Sequence, residues 1–77
     1  MAIAFKRPFT PDTQAIRDSV DMSNKEHEEI ACGLCEAVYV LVYPRSSTPE
    51  RKLEYSRAVQ QGMGNCADHP PWIRLNF

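Results

Sequence analysis

The 77-residue chain has no excess of charge of either sign, only three glycines and no long uninterrupted apolar run. Nine Lys and Arg against ten Asp and Glu leave a net charge of -1, so nothing holds a phosphate backbone and no nucleic-acid polymer is expected as a partner. The most apolar stretch, residues 30–43, is interrupted by Glu36 and is shorter than the ~20 residues of a membrane span. No membrane is expected either. Only five residues precede the first charge, Lys6, too few for the apolar segment of a secretory leader. Cysteine is scarce and odd in number, three residues, which argues against a disulfide framework and for a reducing cytoplasm. A glycine-rich phosphate loop is missing, since Gly62-Met63-Gly64 has no lysine or serine after it. His27 and His69 have no serine, cysteine or carboxylate partner at a catalytic spacing. The expectation is a single domain, residues 1–77, without catalysis. A chain of this length buries only ~60 % of its unfolded surface, so its own core is marginal.

What is present is concentrated in residues 23–43, SNKEHEEIACGLCEAVYVLVY. Ser23 and Glu26 have the spacing of a capping box, and Glu26, Glu28 and Glu29 suit the positive end of a helix dipole. Ile30, Leu34, Val38 and Leu41 follow at helical spacing, and Pro44 supplies a stop. This pattern predicts one long central helix. Thr10-Pro11-Asp12 predicts a short helix to about Val20, and Thr48-Pro49-Glu50, with Ser47 and Glu50 as a second capping box, predicts a third from Pro49 to about Cys66. The connection between the second and third is short enough for an antiparallel hairpin. The expected fold is therefore mainly α: a short N-terminal helix, a two-helix hairpin, and apolar arms at residues 1–9 and 70–77. The alternative is α+β. Residues 37–43 (AVYVLVY) are β-branched and aromatic, and with residues 2–5 and 72–77 they would make a three-stranded sheet.

Two groups of residues have the makings of a site. Cys32-Gly33-Leu34-Cys35 and Cys66-Ala67-Asp68-His69 form a C-x2-C and a C-x2-H. Four N/S donors in two short clusters is the pattern of structural zinc, and metal would support a small domain. Against this, the first pair falls inside a helical pattern, where Cys32 and Cys35 serve as small core residues. No metal and no cofactor are expected on that reading, with less than one metal per chain by elemental analysis. The second group is Arg45, Arg51, Lys52 and Arg57 near the start of the last helix. They read as surface ion pairs, Arg57 with Glu50 or Glu54, or as an anion site in which arginines such as Arg51 and Arg57 clamp phosphates and Tyr39, Tyr43 or Tyr55 stacks a base. A helix apolar all round at residues 38–43 needs more cover than one partner helix gives. At least a homodimer is expected, with Val38, Leu41, Val42 and Trp72 at the contact.

Ser56-Arg57-Ala58-Val59-Gln60-Gln61-Gly62-Met63 resembles the second-helix pattern of phage anti-CBASS cyclic-nucleotide sponges, with Ala31-Cys32-Gly33-Leu34 where their small-residue helix contacts fall. Arg57 is the residue that matches a basic position of that motif. The resemblance implies a short all-α chain that oligomerises and sequesters a cyclic oligonucleotide in the host cytoplasm. The function expected is thus that of a non-enzymatic binding protein, a phage-encoded anti-defence sponge. The alternatives are a partner-binding inhibitor of a host protein or a small zinc-stabilised Cys3His module.

Overall fold

The computed structural model describes residues 2–76. It is α+β: β1 (Ala2–Lys6), α1 (Pro11–Asp18), β2 (Lys25–Ala31), β3 (Val38–Pro44), α2 (Pro49–Gly62) and β4 (Trp72–Leu75). The strands form one antiparallel sheet in the order β2-β3-β1-β4. β3, with the sequence VYVLVYP, is buried along almost its whole length. A strand covered on both faces reads as a continuous apolar run rather than an alternating one.

The alternation of side chains across β1 and β3 creates two separate apolar layers. Ala2 and Ala4 of β1, with Tyr39, Leu41 and Tyr43 of β3, meet Tyr55 and Val59 of α2 and Met63 just beyond it. On the opposite face, Ile3, Phe5, Val40 and Val42 meet Phe9, Ile16 and Val20 from the α1 region, and Trp72. Each helix thus covers its own side of the sheet.

The mainly-α expectation is overturned. Where one helix was expected over residues 23–43, the chain makes β2, a loop at 32–37, and β3. The helical spacing of Ile30, Leu34, Val38 and Leu41 is coincidental: Leu34 is 87 % exposed at the loop, while Leu41 is 1 % exposed inside the sheet. Pairing of β3 with both neighbours satisfies its backbone and lets its β-branched and aromatic side chains pack on a pleated surface, which outweighs the local periodicity. The expected capping box does not form. Ser23 donates its backbone N–H to Asp21 Oδ1 (3.0 Å), which holds the Asp21 carboxyl below its ordinary range, and Glu26 lies in β2. The two-helix hairpin is absent accordingly.

The other helix starts fall as expected. Thr10 caps α1, accepting from the Thr13 N–H at 3.2 Å, and Thr48 caps α2, accepting from the Arg51 N–H at 3.1 Å. Ser47, expected in a capping box, instead donates to the Pro44 carbonyl (2.7 Å). α2 stops at Gly62, not near Cys66, and a Cβ at Gly62 would lie 2.9 Å from Ile73 Cγ2 of β4. Both arms expected at the ends are strands. β1 occupies the interior of the sheet and β4 pairs beside it, so the three strands of the alternative sheet do lie together, with β2 as a fourth. Phe77, expected in the apolar tail, and Met1 lie outside the described residues.

The surface argument for a dimer also changes. Leu41 and Val42 are buried within one chain, and Val38 and Trp72 are half-buried. The all-round apolar helix that demanded a second copy does not exist.

Candidate metal centre

The two cysteine-bearing segments belong to different connections, and the sheet brings them to one end. β1 lies between β3 and β4. At its end Lys6 donates its N–H to the Pro71 carbonyl (2.9 Å) and Arg7 donates to the Val38 carbonyl (2.9 Å). One strand end therefore anchors both the residue that starts β3 and the residue just before β4. Cys32–Cys35 precede the first of these anchors, and Cys66–His69 precede the second.

The first segment is a tight loop closed by the Cys32 N–H donating to the Ala37 carbonyl (2.8 Å). Inside it the Leu34 N–H points at Cys32 Sγ (3.5 Å). The Ala37 N–H points at Cys35 and holds that thiol below its ordinary pKa, helped by the neighbouring thiols and the charge of Lys6. Backbone N–H groups aimed at sulfur favour the thiolate, which is the form that binds metal.

The second segment begins where α2 ends. Gly64 follows the C-cap with φ 66°, the left-handed conformation that reverses the chain at a helix end and that a Cβ disfavours. Asn65 then shapes the turn: its Oδ1 accepts from the Ala67 N–H (2.7 Å) and its carbonyl from the Asp68 N–H (3.0 Å). His69 Nδ1 lies 2.8 Å from the Met63 carbonyl, which accepts only, so Nδ1 carries the proton. Nε2 is then the free donor nitrogen, and it lies 3.3 Å from Cys35 Sγ. The Tyr39 ring meets the imidazole edge-on, with centroids 6.2 Å apart, and the Tyr39 hydroxyl donates to the Pro70 carbonyl. The Met63 bond and the ring contact orient His69. A metal-bound histidine ordinarily has its second nitrogen tied to a carbonyl or carboxylate in this way.

The four donor atoms of Cys32, Cys35, Cys66 and His69 lie within 4.8 Å of one another. Tetrahedral zinc with Zn–S near 2.3 Å and Zn–N near 2.0 Å has edges of about 3.8 Å between sulfurs and about 3.5 Å between sulfur and nitrogen. Cys32 Sγ and Cys66 Sγ are 3.7 Å apart, and Cys35 Sγ and His69 Nε2 are 3.3 Å apart, so two opposite edges of that tetrahedron are already formed. The cysteines are free thiols. Three thiols this close cannot all carry negative charge without a cation: hydrogen bonding to Cys35 and Cys32 pushes the Cys66 thiol up to about 11. A divalent ion removes that conflict.

Of the other residues singled out from sequence, Lys52 Nζ lies 5.6 Å from the Tyr43 ring, and both Lys52 and Arg45 approach Glu26, at 4.0 and 3.9 Å. Tyr43 and Tyr55 are 2 % and 3 % exposed, with ring centroids 6.4 Å apart under α2, so neither offers a face to a base. Arg57 is on the exposed side of α2, and Arg51 Nη1 donates to Glu54 Oε2 at 3.2 Å, an ordinary helix-surface pair. The sequence did show the quartet but set it aside on account of a helix. That helix is a hairpin, so the objection to the C-x2-C lapses. What the sequence did not show was the support: Met63 as acceptor for Nδ1 and Tyr39 as the wall behind the imidazole.

No protein-family model, curated protein or solved structure matches the chain. Among the described residues the expected helical hairpin is absent, and nothing in the fold or the comparisons points to a phage origin, an inhibitor role or cyclic-nucleotide binding.

Proposed function

We propose that the chain is a non-enzymatic, zinc-stabilised α+β module whose Cys32, Cys35, Cys66 and His69 hold one structural zinc ion. The observation that carries this is the convergence of four N/S donors from two connections to within 4.8 Å, with His69 already turned to present Nε2. Four protein donors fill every tetrahedral position and leave none open for water or substrate, which is the arrangement of structural rather than catalytic zinc. The metal's work is to tie the β2–β3 loop to the α2–β4 connection in a chain whose core is small.

The test is elemental analysis of protein purified from zinc-supplemented cells, with circular dichroism before and after a strong chelator. The expected result is about one zinc per chain, with the melting temperature falling when it is stripped. Purified protein that holds no zinc, takes none up when reduced, and melts identically with and without chelator overturns the reading.

A further inference from the structure

The same cluster contains a second piece of chemistry. We propose that Cys66 is a site of oxidation by hydroperoxides, resolved by Cys32 into a disulfide that releases the zinc while keeping the two loops joined. The inference rests on the zinc reading above and adds a modification site to it.

Three observations point to this pair. Cys66 is exposed and lies in irregular backbone after α2, whereas Cys32 is half-buried against the residues packed under α2. A small oxidant therefore reaches Cys66 before Cys32. The two sulfurs are 3.7 Å apart, at van der Waals contact, and closing to a bond of ~2.05 Å requires under 2 Å of motion shared by two loops. Cys35, also exposed, has its sulfur directed elsewhere, 3.3 Å from His69 Nε2.

The chemistry balances with one peroxide. The Cys66 thiolate attacks a peroxide oxygen; an S–O bond forms, the O–O bond breaks, and hydroxide leaves and takes a solvent proton to become water. Cys66 is now a sulfenic acid, oxidised by two electrons as the peroxide is reduced. The Cys32 thiolate then attacks the Cys66 sulfur; the S–S bond forms, the S–O bond breaks, and a second hydroxide leaves as water. Two thiolates, one peroxide and two protons become one disulfide and two waters. With two of its four donors gone, the ion is released from Cys35 and His69.

The choice of partner has a structural consequence. A Cys32–Cys35 disulfide would leave the two connections untied. A Cys32–Cys66 disulfide links residues 34 apart in sequence and joins the segments the metal joined, so the oxidised chain keeps its shape without metal.

The experiment treats the zinc-loaded protein with equimolar hydrogen peroxide in the presence of a chromogenic zinc indicator, followed by alkylation, digestion and mass spectrometry. The expected result is release of the bound zinc with a Cys32–Cys66 linked peptide and an alkylated Cys35, reversed by a thiol reductant with recovery of zinc binding. Retention of zinc in excess peroxide, a Cys32–Cys35 linkage, or sulfinic acid at Cys66 in place of a disulfide overturns the inference and leaves the zinc reading standing. Protein that carries no zinc before peroxide is added overturns the zinc reading instead. Peptide mapping of that zinc-free protein then decides the pairing alone.

Discussion

Residues 39–43 of β3 and the loop at 32–37 almost adjoin in sequence, yet they are held by different forces. In the strand, Tyr39, Val40, Leu41, Val42 and Tyr43 are all buried and paired with β2, the first four with β1 as well, and each such side chain contributes roughly 1.5–3 kcal/mol by leaving water. In the loop every residue is exposed or half-buried. Fixing its backbone costs about 1–2 kcal/mol per residue, and its hydrogen bonds contribute about 1 kcal/mol each. Three such bonds, two of them to sulfur, do not offset six ordered residues. The shortfall is several kcal/mol, which the proposed zinc site would more than cover at about 10–16 kcal/mol. Burial specifies the sheet. On the proposed reading, the metal holds the loop.

The largest expected effect strikes the buried side of that comparison. Leu41→Asp places a carboxylate at a position 1 % exposed, opposite Ala4 and Glu28 in the neighbouring strands, and it should cost about 4 kcal/mol or more. The cooperative thermal transition should be lost, with or without zinc. Survival of that transition would mean that the sheet is not the core.

Cys66→Ser should act only through the loops. It removes one donor and should destabilise the zinc-loaded protein by about 3 kcal/mol, the linkage expected when ligand exceeds its dissociation constant some hundredfold. In chelator, wild type and variant should melt together. Unequal melting in chelator would show that the sulfur contributes by packing, against its exposed position.

A smaller effect appears in alkali. Burial, followed by the hydrogen bond and charge of Glu28 and the proximity of Glu26, pushes the Tyr43 phenol up to about 12, above the ~10 of an unfolded tyrosine. Because the protonated form is favoured in the fold, this contribution is complete below pH ~10 and is lost as pH rises through ~12. Denaturant melts across that window should fall less steeply for Tyr43→Phe than for wild type; equal slopes would remove Tyr43 from the account.

The smallest effect belongs to Leu34→Asp. At 87 % exposure the substitution should leave zinc content unchanged and stability within about 0.5 kcal/mol. A large loss of stability would place Leu34 in a packed environment.

How much of this was legible in the sequence follows the same division. The helix starts at Thr10-Pro11 and Thr48-Pro49 were readable because a cap and a proline act within one turn. The central segment was readable only in part: residues 37–43 carried the β-branched and aromatic signal of a strand, but choosing strand over helix turned on pairing, which is non-local. Val38–Pro44 becomes a strand through β1, more than thirty residues earlier, and Lys25–Ala31 joins the sheet despite a charged sequence that carries no strand signal of its own. The quartet was visible as spacing. Its meaning depended on whether residues 32–35 were helix or loop, and that turned on the pairing.

The measurement that tests the zinc centre most directly is X-ray absorption at the zinc edge on the purified protein. The account predicts one ordered shell of about three sulfurs near 2.3 Å and one nitrogen near 2.0 Å, with imidazole outer-shell scattering from a single histidine. Replacing His69 by Ala should remove that nitrogen signature while leaving the sulfurs. A shell dominated by oxygen, or zinc that washes out at neutral pH, would contradict it.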